Sequence, residues 1–209
     1  MSKREIEDEY RKFAKWANKI GKSGLVQCSS GNLSYRLSED TILVSESRRW
    51  LVNLKQDQVV KVNLKDGAVI EGEKPTGELP LHLSILRQNT NINTVLHCQS
   101  PAATALACRK SSDIDYNVII EIPIYIGHIA HLPFIMPGSQ ELADAVASAS
   151  VNSSVMQLQN HGQIITGIDY RDVYQKAVFF ELACSIIISN GINSQSLTPE
   201  QCKALMGYR

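Results

Sequence analysis

Two short apolar runs in this chain each stop at a histidine. Asn93-Thr94-Val95-Leu96 leads into His97-Cys98-Gln99, and Val155-Met156-Gln157-Leu158-Gln159 leads into Asn160-His161-Gly162. In an extended strand, residues two apart project to the same face, so positions 97 and 99 can aim two ligands at one point. A chain built this way needs a sheet whose strand ends converge. Upstream, Pro75-Thr76-Gly77-Glu78 sets a carboxylate at the mouth of an amphipathic segment. That segment predicts a helix over 77–88, with Leu79, Leu83 and Leu86 inward and Pro80 in its first turn. Glu78 there gains from the positive end of the helix dipole. First-turn glutamates are common, and it is the company of His97 and His161 that points to acid–base chemistry. His82, one turn later, reads by default as a buried structural histidine.

The remaining elements follow from spacing. Ile6, Tyr10, Phe13, Ala14, Ala17 and Ile20 recur at threes and fours, which predicts a helix from 3 to about 21. Ser29-Ser30-Gly31-Asn32 is a turn cluster before a strand at 33–37. It reads either as a hairpin turn or as an anion nest of backbone N–H groups. Further strands are expected at 41–45, 59–62, 69–72, 155–159 and 163–166, the second and third of these about an Asp-Gly turn. Ser100 and Pro101 supply an N-cap and N1 for a helix to 108. Other helices are expected at 140–148, at 170–188 and after Thr198-Pro199. Residues 111–136 hold β-like runs at 118–120 and 123–126, broken by prolines, and read as an irregular interface loop. His128 and His131 lie in it without helical periodicity, so they read poorly as a metal pair.

With Lys plus Arg at 21 and Asp plus Glu at 21, the net charge is zero and no basic field points to nucleic acid. The first residues are too charged for a leader's apolar core, and no run reaches the ~18 residues of a membrane span. Five cysteines without a CxxC pair read as reduced thiols. The expectation is one domain, 1–209, in the cytoplasm, without membrane or nucleic-acid partners.

Gly31-Asn32-Leu33-Ser34, Pro75-Thr76-Gly77-Glu78 with His82, His97-Cys98-Gln99-Ser100 and Asn160-His161-Gly162 stand in the order of motifs of one known family. Over roughly residues 10–190 the chain resembles the metal-dependent class II aldolase and adducin family, typified by L-fuculose-phosphate aldolase. The resemblance implies an α/β fold, three layers α/β/α with a central, mainly antiparallel sheet. It implies a lyase of carbohydrate metabolism that cleaves a small ketose phosphate through an enediolate stabilised by a divalent metal. His97 and His161 fall on metal-ligand positions, Gln99 on a position where the family carries histidine, and Glu78 on the acid/base. A neutral amide oxygen is a weaker donor for zinc than imidazole, so the ion implied is Zn²⁺, or Mn²⁺ or Co²⁺.

Ser30, Gly31, Asn32, Ser47, Arg48, Thr76 and Gly77 fall on substrate- or phosphate-binding positions, and Glu181 on a structural glutamate. Arg48 replaces a glycine there, and reads either as an anion-pairing guanidinium or as a solvated surface arginine. The family's cyclic homotetramer, with active sites between subunits, makes Tyr125 and Tyr208 possible proton-transfer partners. Two alternatives stay open: a sugar-phosphate epimerase or phosphorylated oxo-acid decarboxylase, and a non-catalytic adducin-like interaction module.

Overall fold

Ser2 and Glu5 close a reciprocal capping box that opens α1 (Lys3–Lys22) in the computed structural model, which describes residues 2–110 and 114–208. Tyr10, Phe13, Ala17 and Ile20 of α1 are buried, the stripe predicted by their spacing. The cluster at 29–32 links α1 to β1 (Asn32–Arg36) and is not a hairpin turn. The hairpin comes one strand later, where Leu37 N–H donates to Thr41 O at 2.9 Å and β1 pairs antiparallel with β2 (Thr41–Ser45). The second hairpin stands where expected. β3 (Val59–Asn63) and β4 (Val69–Glu71) pair about Asp66-Gly67, with Gly67 at φ 80°.

α2 (Leu79–Gln88), β5 (Thr94–Cys98) and α3 (Pro101–Ala107) follow. Ser100 holds the N-cap position of α3 without capping it. The Glu181 carboxylate does so instead, accepting Ala102 N–H at 2.8 Å and Ala103 N–H at 2.9 Å.

The runs at 118–120 and 123–126 are not strands, and residues 111–113 of that stretch lie outside the described residues. Ile122–Ile126 forms a π-helical turn. Pro123 within it removes a ladder donor, and the apolar side chains of Ile122 and Ile126 are spent on the core. Ile129–Leu132, expected to be irregular, is a strand, β6. α4 (Gln140–Ala149), β7 (Val155–Leu158), β8 (Gly162–Gly167), α5 (Tyr170–Asn190) and α6 (Pro199–Met206) complete the chain.

One eight-stranded sheet results, in the order β4-β3-β2-β1-β5-β8-β7-β6. Every neighbouring pair is antiparallel except β6–β7. One face is covered by α2 and α4 over Val44, Val62, Val95, Met156 and Ile164. The other is covered by α1, α3 and α5 over Leu33, Leu43, Leu96 and Ile165. This is the three-layer, mainly antiparallel arrangement expected. Among the described residues no helix is long and apolar enough to cross a membrane.

Candidate active site

β1 and β5 are the two middle strands, and their register sets Asn32 opposite His97. Alternation sends His97 to the α2 face with Val95, and Cys98 to the α3 and α5 face with Leu96. Cys98 is a core residue. Burial pushes its thiol up to about 12, and it lies on the face of the sheet opposite His97.

Glu78 sits at the N-cap of α2 without capping it. Its backbone N–H donates to Thr76 Oγ1 at 3.3 Å, and its carboxylate turns toward the strand ends. Oε2 lies 3.3 Å from His97 Nε2, and Oε1 lies 3.6 Å from His161 Nε2. The two imidazoles meet edge to face at 4.7 Å. The three side chains are only 2%, 14% and 12% exposed (His97, Glu78, His161), so little water screens their interaction. Burial favours the neutral acid at Glu78. His97, the Asn32 amide and His161 outweigh it and hold the carboxyl below the ordinary glutamate value. Burial, with His97 adding to it and Glu78 opposing, lowers the pKa of His161.

The tautomer of His97 follows from its partner. Gln163 O can only accept, so the ring nitrogen 3.0 Å from it, Nδ1, carries the proton. Nε2 is then the ring nitrogen that faces Glu78 Oε2. Two acceptors at that distance require a proton or a cation between them. Glu78 Oε1 and His161 Nδ1 are in addition buried without a hydrogen-bond partner among the described residues. The ligand atoms of Glu78, His97 and His161 all lie within 4.8 Å of one another. Two imidazole nitrogens and a carboxylate oxygen are a donor set that suits a divalent ion.

His161 is presented by a tight β7–β8 hairpin. Leu158 pairs with Gly162, and Asn160 between them takes φ 55°. Asparagine is among the few residues that enter that region at little cost, which accounts for Asn before the histidine. Gly162 is required by crowding. A Cβ there would meet Cys98 O at 2.5 Å, Gln99 Cγ at 2.8 Å and His97 Cε1 at 3.3 Å. Gln99 therefore lies over Gly162, at the shoulder of both histidines, just beyond the end of β5.

Behind Glu78 stands a polar relay. Asn32 Nδ2 donates to Glu78 Oε2 at 2.9 Å, and Asn32 Oδ1 accepts from His82 Nε2 at 2.6 Å. Nδ1 of His82 then accepts from Ser34 Oγ at 2.7 Å. His82 is wholly buried, and burial pushes it down to about 3, so it stays neutral and the direction of each bond in the relay is defined. Asn32 and Ser34 share a face of β1 by simple alternation, a signal in the sequence that could have revealed Ser34. Gln163 was also missed: its backbone orients His97, while its side-chain Oε1 accepts from Ser100 N–H and Oγ at 3.1 and 3.2 Å.

The other expected site residues divide. The 45–48 and 74–78 segments run side by side, with Ser47 N–H on Lys74 O at 2.9 Å and Thr76 N–H on Ser45 O at 3.1 Å. Gly77 leads from there into Glu78. Arg48 is exposed at φ 63°, a conformation glycine enters freely. Gly31 lies close against His97, where a Cβ would be 3.0 Å from His97 O. Ser30 Oγ accepts from Gln27 N–H at 3.2 Å. The Tyr125 ring packs on Phe179 of α5 at 5.3 Å, and Tyr208 is 81% exposed near the C-terminus. His128 and His131 part company: His128 Nδ1 bonds Ser153 Oγ at 2.8 Å, while His131 stacks on Tyr116 at 5.6 Å.

A family model, the class II aldolase and adducin N-terminal domain, matches residues 11–188. The L-fuculose phosphate aldolase of Methanocaldococcus jannaschii is 31% identical over 183 residues, 86% of this chain and 96% of that protein. The 3-oxo-tetronate 4-phosphate decarboxylase of Haemophilus influenzae is 26% identical over 180 residues, 84% of this chain and 85% of that protein. Among solved structures, YgbL of Escherichia coli has a TM-score of 0.90 at 24% identity, covering 96% of this chain and 98% of that one. That likeness is one of fold.

Proposed function

The chain belongs to the class II aldolase and adducin family, and from that premise we propose that it is a divalent-metal-dependent lyase cleaving a carbon–carbon bond in a small ketose phosphate. The observation that carries the reading is the division of labour within Glu78. Oε2 is fixed by Asn32, while Oε1, 3.6 Å from His161 Nε2, accepts no hydrogen bond among the described residues and is part of an ionised carboxylate. A carboxylate oxygen that accepts no hydrogen bond is free to take a proton.

His97 and His161 would hold the ion, with the Gln99 amide oxygen as a third donor and Glu78 beside it, and the ion would supply electron withdrawal at the substrate's oxo group. The chain's own part is proton handling. Glu78 Oε1 takes the proton of the hydroxyl on the carbon beyond the scissile bond. That hydroxyl carbon becomes the carbonyl of the departing aldehyde, and the bonding pair stays on the oxo-bearing fragment. Return of a proton to that fragment completes dihydroxyacetone phosphate. Ser30, Gly31, Asn32, Ser47, Thr76 and Gly77 form the cradle assigned to the phosphate, with the Arg48 guanidinium at its rim.

We assign the protein to a cyclic homotetramer, in which Tyr125 or Tyr208 of an adjoining subunit assists proton return. The exposure of Tyr208 suits that role. Five unpaired thiols support a reducing compartment, the cytoplasm.

A second reading, decarboxylation of a phosphorylated 3-oxo acid, is favoured by Arg48 as a carboxylate partner and by the likeness to the Haemophilus enzyme. It makes less use of Glu78. Loss of carbon dioxide needs no base at the departing group, and an ionised carboxylate would repel the substrate's own. The grouping of Glu78, His97 and His161 with their ligand atoms within 4.8 Å of one another weighs against a non-catalytic module. The test is a panel of ketose phosphates and phosphorylated sugar acids, given to metal-loaded protein and scored for triose phosphate, epimer and carbon dioxide. Triose phosphate is expected, and carbon dioxide or epimer in its place would select the related enzyme.

A further inference from the structure

On the α3 face of the sheet, toward the β6 edge, lies a cavity of about 410 Å³ that the chemistry above does not use. Its walls include Arg109, Lys110, His131, Leu132, Gln157 and Gln159. Gln157 is 2% exposed, and its Nε2 donates to Ala103 O at 2.6 Å. Its Oε1 has no hydrogen-bond partner among the described residues. Buried polar atoms in folded proteins are almost always bonded, so an orphan amide oxygen on a residue that lines the cavity marks a place where a polar occupant is missing. Two cations at its rim choose the sign of that occupant.

We propose that this cavity binds a small anionic polyol, its phosphate or carboxylate on Arg109 and Lys110 and a hydroxyl on Gln157 Oε1. A bare anion satisfies the rim and leaves the amide oxygen unpaired. A neutral polyol does the reverse. The occupant touches the frame of the catalytic hairpin. Gln159 N–H donates to Leu132 O at 3.0 Å, and Asn160 N–H donates to Ala107 O at 3.1 Å. His161 is the next residue, so filling the cavity stiffens the turn that presents it.

Hydrogen exchange on the full-length, metal-free protein tests this, with glycerol 3-phosphate, glycerate, glycerol and inorganic phosphate as probes. The expected result is slowed exchange at 106–110 and 157–161 with glycerol 3-phosphate or glycerate, whichever acts naming the head group. Arg109→Gln with Lys110→Gln removes two exposed cations that have no packing to lose. It should weaken that binding roughly tenfold or more. Exchange unchanged in these segments, or protection that survives the double substitution, overturns the proposal. Equal protection by inorganic phosphate overturns the polyol contact at Gln157. The assay needs neither metal nor turnover, so its failure leaves the lyase reading untouched.

Discussion

Asn32 and Glu78, 46 residues apart in the chain, are joined by a 2.9 Å hydrogen bond from the Asn32 amide to Glu78 Oε2. Because His82 occupies the other end of that amide, the asparagine cannot turn away without breaking two buried bonds. Asn32 thus fixes the position of the carboxylate. Its bond occupies Oε2 and leaves Oε1 without a hydrogen-bond partner among the described residues.

Glu78→Gln keeps the shape and removes the base. Turnover should fall by about 10²–10⁴-fold, the usual worth of a positioned carboxylate. Arg48→Ala should instead raise KM with a smaller change in kcat. Steady-state kinetics on the reactive member of the substrate panel checks both. An unchanged kcat for Glu78→Gln would remove the carboxylate from the chemistry.

The purified protein should bind up to one divalent ion per chain, lost on chelation and in His97→Ala and His161→Ala. Gln99→His should tighten binding, because imidazole is a better donor to zinc than a neutral amide. Elemental analysis before and after reconstitution decides the matter. A protein that stays metal-free with zinc or manganese in excess contradicts the assignment.

His82 links stability to pH. Its folded value near 3 lies below the ordinary 6.5, so as pH falls the unfolded chain takes up the proton first. The contribution is full above 6.5 and erodes from there down toward 3. The loss is at most about 1.4 kcal/mol per pH unit. Urea midpoints at about pH 7 and about pH 5 should drop less for His82→Gln than for the parent. Equal drops would mean that His82 does not carry the dependence.

Gly162→Ala forces a methyl group to within 2.5 Å of Cys98 O. Backbone must move, at a cost of about 1–3 kcal/mol in denaturant unfolding. Metal affinity should fall with it, since His161 is adjacent. A variant with parental stability and metal content would show that the hairpin yields at no cost.

Light scattering at micromolar concentration should give a tetramer. Within the stretch 118–136, Ile120, Phe134 and Met136 are 49%, 57% and 65% exposed, apolar surface that a neighbour would cover. A monomer would remove any tyrosine supplied by an adjoining subunit from the mechanism.

Much of this arrangement could be read before any coordinates. The helix stripe of α1, the strands that lead to His97 and His161, and the face to which Cys98 turns are all local consequences of side-chain period. What escaped notice depends on distant partners. Pro123 and its apolar neighbours look β-like to any local rule, and only the core they fill makes them a π-helical turn. β6 exists because β7 offers it an edge. The cap of α3 comes from Glu181 on another helix, although Ser100 had the right identity in the right place. Gln163 orients His97 through its backbone carbonyl, a role that no side-chain pattern encodes.

The order of the sheet also bears on how such proteins diverge. β1 and β5 lie at its centre, each hydrogen-bonded on both sides, so a register slip of one residue would turn Asn32 or His97 to the wrong face. The rim has no such bond to the ladder. Arg48 on its turn, the exposed Ile120, Phe134 and Met136, and the C-terminal helix can change side chains without disturbing the centre. A scaffold divided in this way can change what enters and leaves at its rim while the paired strands that carry Asn32 and His97 stay in register.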